Sequence, residues 1–273
     1  LLKQCLESLC KQSHQPNHIF IINNASTDST ASYLSEIDDK NITIVNNEIN
    51  TGGAGGFRQG LLLAYERGYD WMLLIDDDIY LDPGCLKKLL AYEKPVSIAV
   101  RENKEGRVVE MAAIEFNLKD FFILKPKKKA VFEVYQNRSE MPAVLPVENV
   151  SFEGFFIHRD VVESVGFPDD SYFIFYDDVD YALRIRRSGR KIFAIRDAKI
   201  MRQLPYNKSD TLSSWKNYYM YRNFFRIHYK YGETFLVRRK PVFYFMAGII
   251  SGLFRLKFER LSSIFRAFSD YKK

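Results

Sequence analysis

Trp71-Met72-Leu73-Leu74-Ile75-Asp76-Asp77-Asp78 decides the fold. Five apolar residues run without alternation, so both faces of this segment call for cover, as in the buried strands of α/β sheets. The run then stops at three carboxylates. A helix over Phe57–Gly68 leads into it, and Asp82-Pro83 opens another helix after it. Further upstream, Leu1–Gln12 predicts an amphipathic helix and His18–Ile22 a buried strand ending at Asn23-Asn24. Ser26–Thr30 supplies N-caps for a helix over Ala31–Ile37, and Ile42–Asn46 predicts a second strand. Asn50-Thr51-Gly52-Gly53-Ala54-Gly55-Gly56 reads as a loop entering the Phe57–Gly68 helix. The expected class is α/β, with a parallel sheet covered on both faces. In such sheets ligands bind beyond the carboxyl ends of the strands, and the Asn pair, the glycine loop and the Asp triplet all fall there.

Residues 96–152 read as strands and turns (VSIAV, VVEMAAIEF, FFIL, AVFEVYQ, AVLPVENVSF), with a basic run at Lys125–Lys129. A helix over Arg159–Val165, a Gly166-Phe167-Pro168 turn, a helix from Asp177 to Ser188 and a strand over Lys191–Ile195 follow. Beyond residue 210 the chain reads as helical. Val242–Phe254 is apolar but only 13 residues long. A membrane span needs roughly 20, so no transmembrane helix is predicted.

With 273 residues, 47% hydrophobic and 27% charged, the chain is neither collagen-like, low-complexity nor disordered. Three cysteines and four histidines in no ligand spacing exclude a disulfide framework or a zinc site. A reducing, cytosolic compartment is expected. The chain begins Leu-Leu-Lys, without a leader, so Leu1 is expected to lie inside a longer natural sequence. The net charge of +6 is unevenly divided. Residues 1–180 hold 18 Lys and Arg against 29 Asp and Glu, whereas 181–273 hold 22 against 5 and carry 20 of the 41 aromatics. An acidic body with a basic, aromatic tail suggests a carboxylate-lined site joined to a segment that meets an anionic surface.

Three adjacent carboxylates at a strand end repel one another, and a hard divalent cation relieves that repulsion. Mg²⁺ or Mn²⁺ held by one or two carboxylates commonly completes its shell with phosphate oxygens. A solvated acidic turn is the plainer alternative. The glycines of 52–56 are suited to bringing backbone N–H groups to a phosphate, although neither a Walker A nor a G-x-G-x-x-G motif is present. Tyr176-Asp177-Asp178-Val179-Asp180-Tyr181 is a second acidic cluster, at a helix start where Asp also serves as a cap. With Phe173 and Phe175 beside it, the cluster is equipped to hold a sugar hydroxyl and accept its proton.

In this order NNASTDST, NTGGAGGFRQG, LLIDDDI and FIFYDDVDYALRIRRSG resemble the inverting family 2 glycosyltransferases, within them the galactofuranosyltransferase- and rhamnosyltransferase-like branch. The resemblance spans about residues 1–203. It implies a GT-A, Rossmann-like nucleotide-sugar-binding domain over 1–205, its opening strand missing ahead of Leu1, and a C-terminal helical extension over 206–273. It also implies a UDP- or dTDP-linked donor, a glycan or lipid-linked acceptor in cell-surface polysaccharide synthesis, and Mn²⁺ or Mg²⁺ on Asp76 and Asp78. Asn23, Asn50, Gly52, Gly53, Arg58, Asp76 and Asp77 would meet the nucleotide-sugar, Asn23 near the base. Tyr176 and Asp177 would hold the acceptor, and Asp178 would be the catalytic base. A histidine that often follows the family's last strand as a metal ligand is replaced by Arg202 or Gln203. Two rival readings are a sugar-phosphate nucleotidyltransferase and a catalytically impaired, membrane-docked binding or scaffold module.

The tail carries the last expectation. From Phe254 to Phe268 apolar residues recur at spacings of three and four with basic residues between them, the composition of an amphipathic helix on an anionic membrane. This predicts a peripheral enzyme on the inner face of the cell membrane, without a nucleic-acid partner. The alternatives are a helical hairpin packed on the catalytic domain and a homo-oligomer contact.

Overall fold

Short apolar strands punctuated by glycine, asparagine and aspartate alternate with helices through the first hundred residues. The computed structural model describes residues 1–204, 214–254 and 258–273, without the side chains of 214 and 251–260. In chain order the first elements are α1 (Leu2–Cys10), β1 (Ile19–Asn23), α2 (Thr30–Ser35), β2 (Ile42–Asn46), α3 (Gly52–Glu66), β3 (Trp71–Leu74), β4 (Ile79–Leu81), α4 (Cys85–Ala91) and β5 (Val96–Glu102). A middle section follows with β6 (Ala113–Phe116), β7 (Lys127–Ala130), α5 (Val131–Val134), β8 (Val144–Val147), β9 (Phe155–His158) and α6 (Arg159–Val165). The chain continues with α7 (Asp177–Arg187), β10 (Ile192–Arg202), α8 (Ser214–Tyr231), α9 (Phe235–Phe254) and α10 (Phe258–Asp270).

The sheet is mixed rather than parallel. β1 and β2 pair in parallel as a separate two-stranded sheet, from Ile19↔Ile42 to Asn23↔Asn46. A six-stranded sheet runs β3-β9-β5-β10-β4, with β8 also on β10. Within it only β5 and β10 are parallel, because β9 runs antiparallel between β3 and β5. Phe155-Phe156-Ile157 is buried on both faces there, and the sequence reading, which ended its last middle strand at Phe152, did not foresee it. Helix α3 lies against both β1 and β3, so it ties the two sheets together.

Three local readings also change. Phe121–Leu124 forms turns, not a strand. Residues 131–134 form a helical turn, because Glu133 Oε2 accepts the Ala130 N–H at 2.7 Å and closes its start. Helix α3 begins at Gly52, so the glycine run is its first turns instead of a free loop.

Two features position the site. Gly154, at φ +83°, links Leu74 and Ala99 through backbone hydrogen bonds of 2.9 and 3.0 Å. A Cβ there would lie 2.7 Å from Ile200 Cδ1, so only glycine lets the chain cross between β3 and β5 and bring Glu153 to the carboxyl end of the sheet. Antiparallel pairing of β4 with the end of β10 sets Arg202 opposite Ile79, one residue beyond the Asp triplet.

The C-terminal helices pack against the body. Phe225, Ile227 and Tyr231 of α8 are buried, as are Leu261, Ile264 and Ala267 of α10 and, just beyond it, Tyr271. Each large apolar side chain removed from water contributes roughly 1.5–3 kcal/mol. Leu261, Ile264 and Ala267 of α10 therefore turn inward, where α10 packs on α8 and α9, whereas Phe265 is 52% exposed. The expected domain limit at 205/206 and the side chains of Arg255, Lys257 and Arg260 lie outside the described residues.

Candidate active site

Left-handed backbone shapes the centre of the site. Phe173, Phe175 and Tyr176 have φ of 63°, 65° and 67°, a region that costs a non-glycine residue about 1–2 kcal/mol. The conformation persists because neighbours fix it. Asn223, fully buried on α8, places its amide nitrogen 2.9 Å from the carbonyl oxygens of Tyr172, Ile174 and Phe175. Arg222 donates to Tyr172 O at 3.0 Å, and the Phe173 ring stacks on Tyr219 at 4.8 Å. On the other side Ala54 N donates to Phe173 O at 3.1 Å. Gly52, at φ +72°, is required by this approach, since a Cβ would fall 2.0 Å from Phe173 O.

The loop delivers Asp177 and Asp178 to the first turn of α7, where the helix dipole favours negative charge. Asp178 takes the Val179 N–H on Oδ1 at 2.7 Å and lines an adjoining cavity with Tyr176. Asp180, two residues on, has a different task. It is fully buried, and Tyr172, Tyr231, Lys230 and Arg184 all donate to it at 2.6–3.0 Å. Although burial opposes its charge, the hydrogen bonds of Lys230 and Tyr231 hold its carboxyl below the ordinary range. Asp180 thus fastens α7 to α8 and keeps its charge doing so.

Asp76, Asp77 and Asp78 follow β3 at the same end of the sheet. Burial, then the charges of Glu153, Asp78 and Asp77, push the Asp76 carboxyl up to about 7. Asp78 is 6% exposed; its Oδ2 accepts Arg202 Nε at 2.8 Å, and its buried Oδ1 has no hydrogen-bond partner. Glu153 lies between Arg101, which it pairs with, and Arg202 Nη1 at 3.8 Å. An orphaned carboxylate oxygen beside a half-buried, repelled Asp76 suits a hard cation that takes its remaining ligands from phosphate and water. Among the described residues no set of three or more His, Cys, Asp or Glu converges as a complete metal cage. The residues thus fit a Mg²⁺ or Mn²⁺ ion held by Asp76 and Asp78 with the substrate, and Arg202 supplies a fixed positive charge at that place.

The remaining expected contacts divide. Asn23 stands at the end of β1, but its amide is engaged on both sides, by Asn46 at 2.8 Å and the Ser26 N–H at 3.2 Å. Asn24 organises the adjacent loop, accepting from Thr51 N at 3.0 Å and donating to Asn50 Oδ1 at 3.2 Å and Gly52 O at 2.8 Å. Asn50 in turn accepts Gly52 N at 2.8 Å. Gly53 alone of the expected glycines is exposed with open space around it. Arg58 points toward the loop, donating to Pro168 O at 3.0 Å with Asp170 3.6 Å away, so it braces the acidic segment. Asn223 and Glu153 were not anticipated. The short Glu-Gly-Phe-Phe run at 153–156 was the available signal for Glu153, and none marked Asn223.

The fold is that of the GT-A glycosyltransferases. Residues 1–130 match the model of Glycosyl transferase family 2. Over 190 residues it is 27% identical to the galactofuranosyltransferase GlfT1 of Mycobacterium tuberculosis, covering 69% of this chain and 61% of that protein. GlfT1 of Mycolicibacterium smegmatis is 28% identical over 191 residues, covering 69% and 62%. The chain therefore spans about three-fifths of the length of these relatives. Among solved structures, S. aureus TarS 1-349 in complex with UDP superposes at a TM-score of 0.52 and 16% identity over 88% of this chain and 65% of that one. GalNAc-T7 with UDP, GalNAc and Mn²⁺ gives 0.58 and 12% over 83% and 44%. Likeness at these identities shows the fold.

Burial, then the charge of Asp178, raises the Asp177 carboxyl from its ordinary value of 3.8 to about 8. Between those two values the folded chain holds a proton that the unfolded chain releases, so stability falls as pH rises through that window. Asp177→Asn removes this loss. In metal-free buffer the variant is expected to melt above the wild type at about pH 8, the gap closing toward about pH 4. An equal difference at both pH values would contradict a raised, buried Asp177 carboxyl.

Proposed function

We propose that the chain is the catalytic part of an inverting, metal-dependent glycosyltransferase that moves a sugar from a nucleoside-diphosphate donor to a glycan or lipid-linked glycan in cell-surface polysaccharide synthesis. One observation carries the reading. Carboxylates from three distant parts of the sequence meet at one sheet end, near enough that Asp76 contributes to raising Asp177 and Glu153 to raising both Asp76 and Asp178. The names of the relatives make galactofuranose the first sugar to test, and UDP the first nucleotide.

In this mechanism Asp178 accepts the proton of an acceptor hydroxyl held by Asp177 and Tyr176. The oxygen forms its bond to the anomeric carbon as the bond to the diphosphate breaks on the opposite face, which inverts that centre. Asp76 and Asp78 would hold Mn²⁺ or Mg²⁺, which when bound offsets charge on the leaving diphosphate. Arg202 stands against Asp78 and adds a fixed positive charge beside that position. Asn50, Gly53 and Asp77, each exposed, would meet the nucleotide-sugar.

Membrane docking belongs to the same reading, through α9 and the loop packed against it. Among the described residues no helix is long and apolar enough to cross a membrane. Phe122, Leu124, Phe235, Phe243, Met246 and Ile250 are each more than half exposed. They form one patch because Lys240 of α9 donates to Asp120 O and Ile123 O at 2.9 and 2.7 Å, and Phe121 meets Phe243 at 5.0 Å. Exposed Lys119, Lys125, Arg238 and Arg239 rim it, which favours an anionic leaflet.

Two experiments follow. With UDP-sugars and a glycan acceptor, Asp178→Asn is expected to lose about 10³-fold in turnover while UDP binding is kept. Near-full turnover removes Asp178 as base, and release of pyrophosphate in place of nucleoside diphosphate would instead support a nucleotidyltransferase. For docking, cosedimentation with anionic vesicles is expected to fall with salt and to drop at least about tenfold on Phe122→Ser with Phe243→Ser. Salt-independent or unchanged binding contradicts the surface.

A further inference from the structure

Asp78 and Arg202 meet across two paired strands. β10 sets Arg202 opposite Ile79, and Gln203 N donates to Asp78 O at 2.7 Å, so the backbone is fixed on both sides. The guanidinium covers the carboxylate. Arg202 Nε donates to Asp78 Oδ2 at 2.8 Å, Asp78 is 6% exposed, and its Oδ1 is buried. Neither oxygen is therefore open to an incoming ion while Arg202 stays in place.

A second acceptor stands next to the same guanidinium. Glu153 Oε1 lies 3.8 Å from Arg202 Nη1, too far for a hydrogen bond but close enough for a side-chain rotation to make one. Glu153 is itself held, because its other oxygen pairs with buried Arg101, which also grips Glu110 at 3.2 Å. Arg202 is 32% exposed and has solvent to turn through. The two ends of that rotation differ in what they leave behind. On Asp78 the guanidinium cancels the charge an ion would use. Turned to Glu153 it leaves Asp78 unpaired, and a buried unpaired carboxylate is costly unless another cation replaces the lost partner.

We propose that Arg202 is a gate on Asp78 that a nucleoside diphosphate opens, so that the chain takes the diphosphate first and a divalent ion second. Its bond to Asp78 uses Nε, and the planar fork of an arginine offers further N–H groups to an arriving phosphate. Drawn toward that phosphate and Glu153, Arg202 uncovers Asp78, which then joins Asp76 in holding Mn²⁺ or Mg²⁺. Without nucleotide the gate stays shut and free ions are kept off Asp78. A histidine at this place could ligate the ion, whereas an arginine, which stays protonated and has no acceptor, can only exclude it or make way. The gate rests on the reading of Asp76 and Asp78 as the ion's ligands, and the outcomes below separate the two.

Two binding measurements on the intact chain read the gate without turnover: Mn²⁺ alone, by the EPR signal of the free ion, and UDP alone in EDTA, by calorimetry. Arg202→Ala and Arg202→Gln are each expected to bind Mn²⁺ at least about tenfold more tightly than the wild type, because Asp78 is uncovered. Both are expected to bind UDP at least about tenfold more weakly, because the phosphate loses its guanidinium. Thermal melts confirm that each variant folds, and Arg202→Gln decides should Arg202→Ala fail to. Opposite shifts are the signature, since an arginine that only held the fold together would weaken both ligands when removed. Mn²⁺ binding that is unchanged or weaker in the variants overturns the gate, and measurable Mn²⁺ binding by the wild type would then leave the ion reading standing. UDP that fails to bind the wild type in EDTA, or binds the variants equally well, overturns the order. No Mn²⁺ binding by any of the three proteins overturns the gate and the ion reading together.

Discussion

One side-chain amide, Asn223 of α8, holds the backbone on which the site depends. It reaches three carbonyls of a segment about fifty residues earlier, each at 2.9 Å. The segment contains three left-handed non-glycine residues, each costing about 1–2 kcal/mol, and a domain's whole stability is only about 5–15 kcal/mol. Such a conformation persists only where its surroundings over-determine it. Here Asn223 and Arg222 act from one side and the α3 start from the other. The return is placement: Asp177 and Asp178 enter the site at a helix start, aimed at the end of β3.

The same logic explains why the site tolerates so many carboxylates. Asp76, Asp78, Glu153, Asp177 and Asp178 share one end of the sheet, and the compensation is uneven. Arg101 and Arg202 are paired with Glu153 and Asp78, whereas Asp78 Oδ1 is left without a partner and Asp76 and Asp177 are raised. Asp180, close in sequence, is fully compensated by four donors and serves the fold. Compensation by neighbours therefore separates structural from candidate catalytic carboxylates here, although both belong to the same run Tyr176–Tyr181.

Much of the first hundred residues was legible because strand cores there are continuous apolar runs ended by asparagine, glycine or aspartate. Strand β2 falls exactly where Ile42–Asn46 was read, and α6 where Arg159–Val165 was. The middle was harder, since Val131–Val134 is rich in strand-forming residues yet is closed into a helical turn by the Glu133 side chain. Strand β9 was missed because its direction depends on Gly154 passing Ile200, a contact between residues far apart. Arg58 and Asn223 show the same limit: type and spacing mark a residue as polar, but only the fold shows which loop it braces. In α10 the amphipathic pattern was read correctly, and packing on α8 decided what its apolar face meets.

Amide hydrogen exchange across residues 170–182, compared between the wild type and Asn223→Ala, tests most directly whether this clamp supports the site. Protection in that segment is expected to fall by at least about tenfold, the equivalent of 1.4 kcal/mol, while β5 and β10 exchange as before. Unchanged protection over 170–182 in a variant lacking the Asn223 amide would contradict its role.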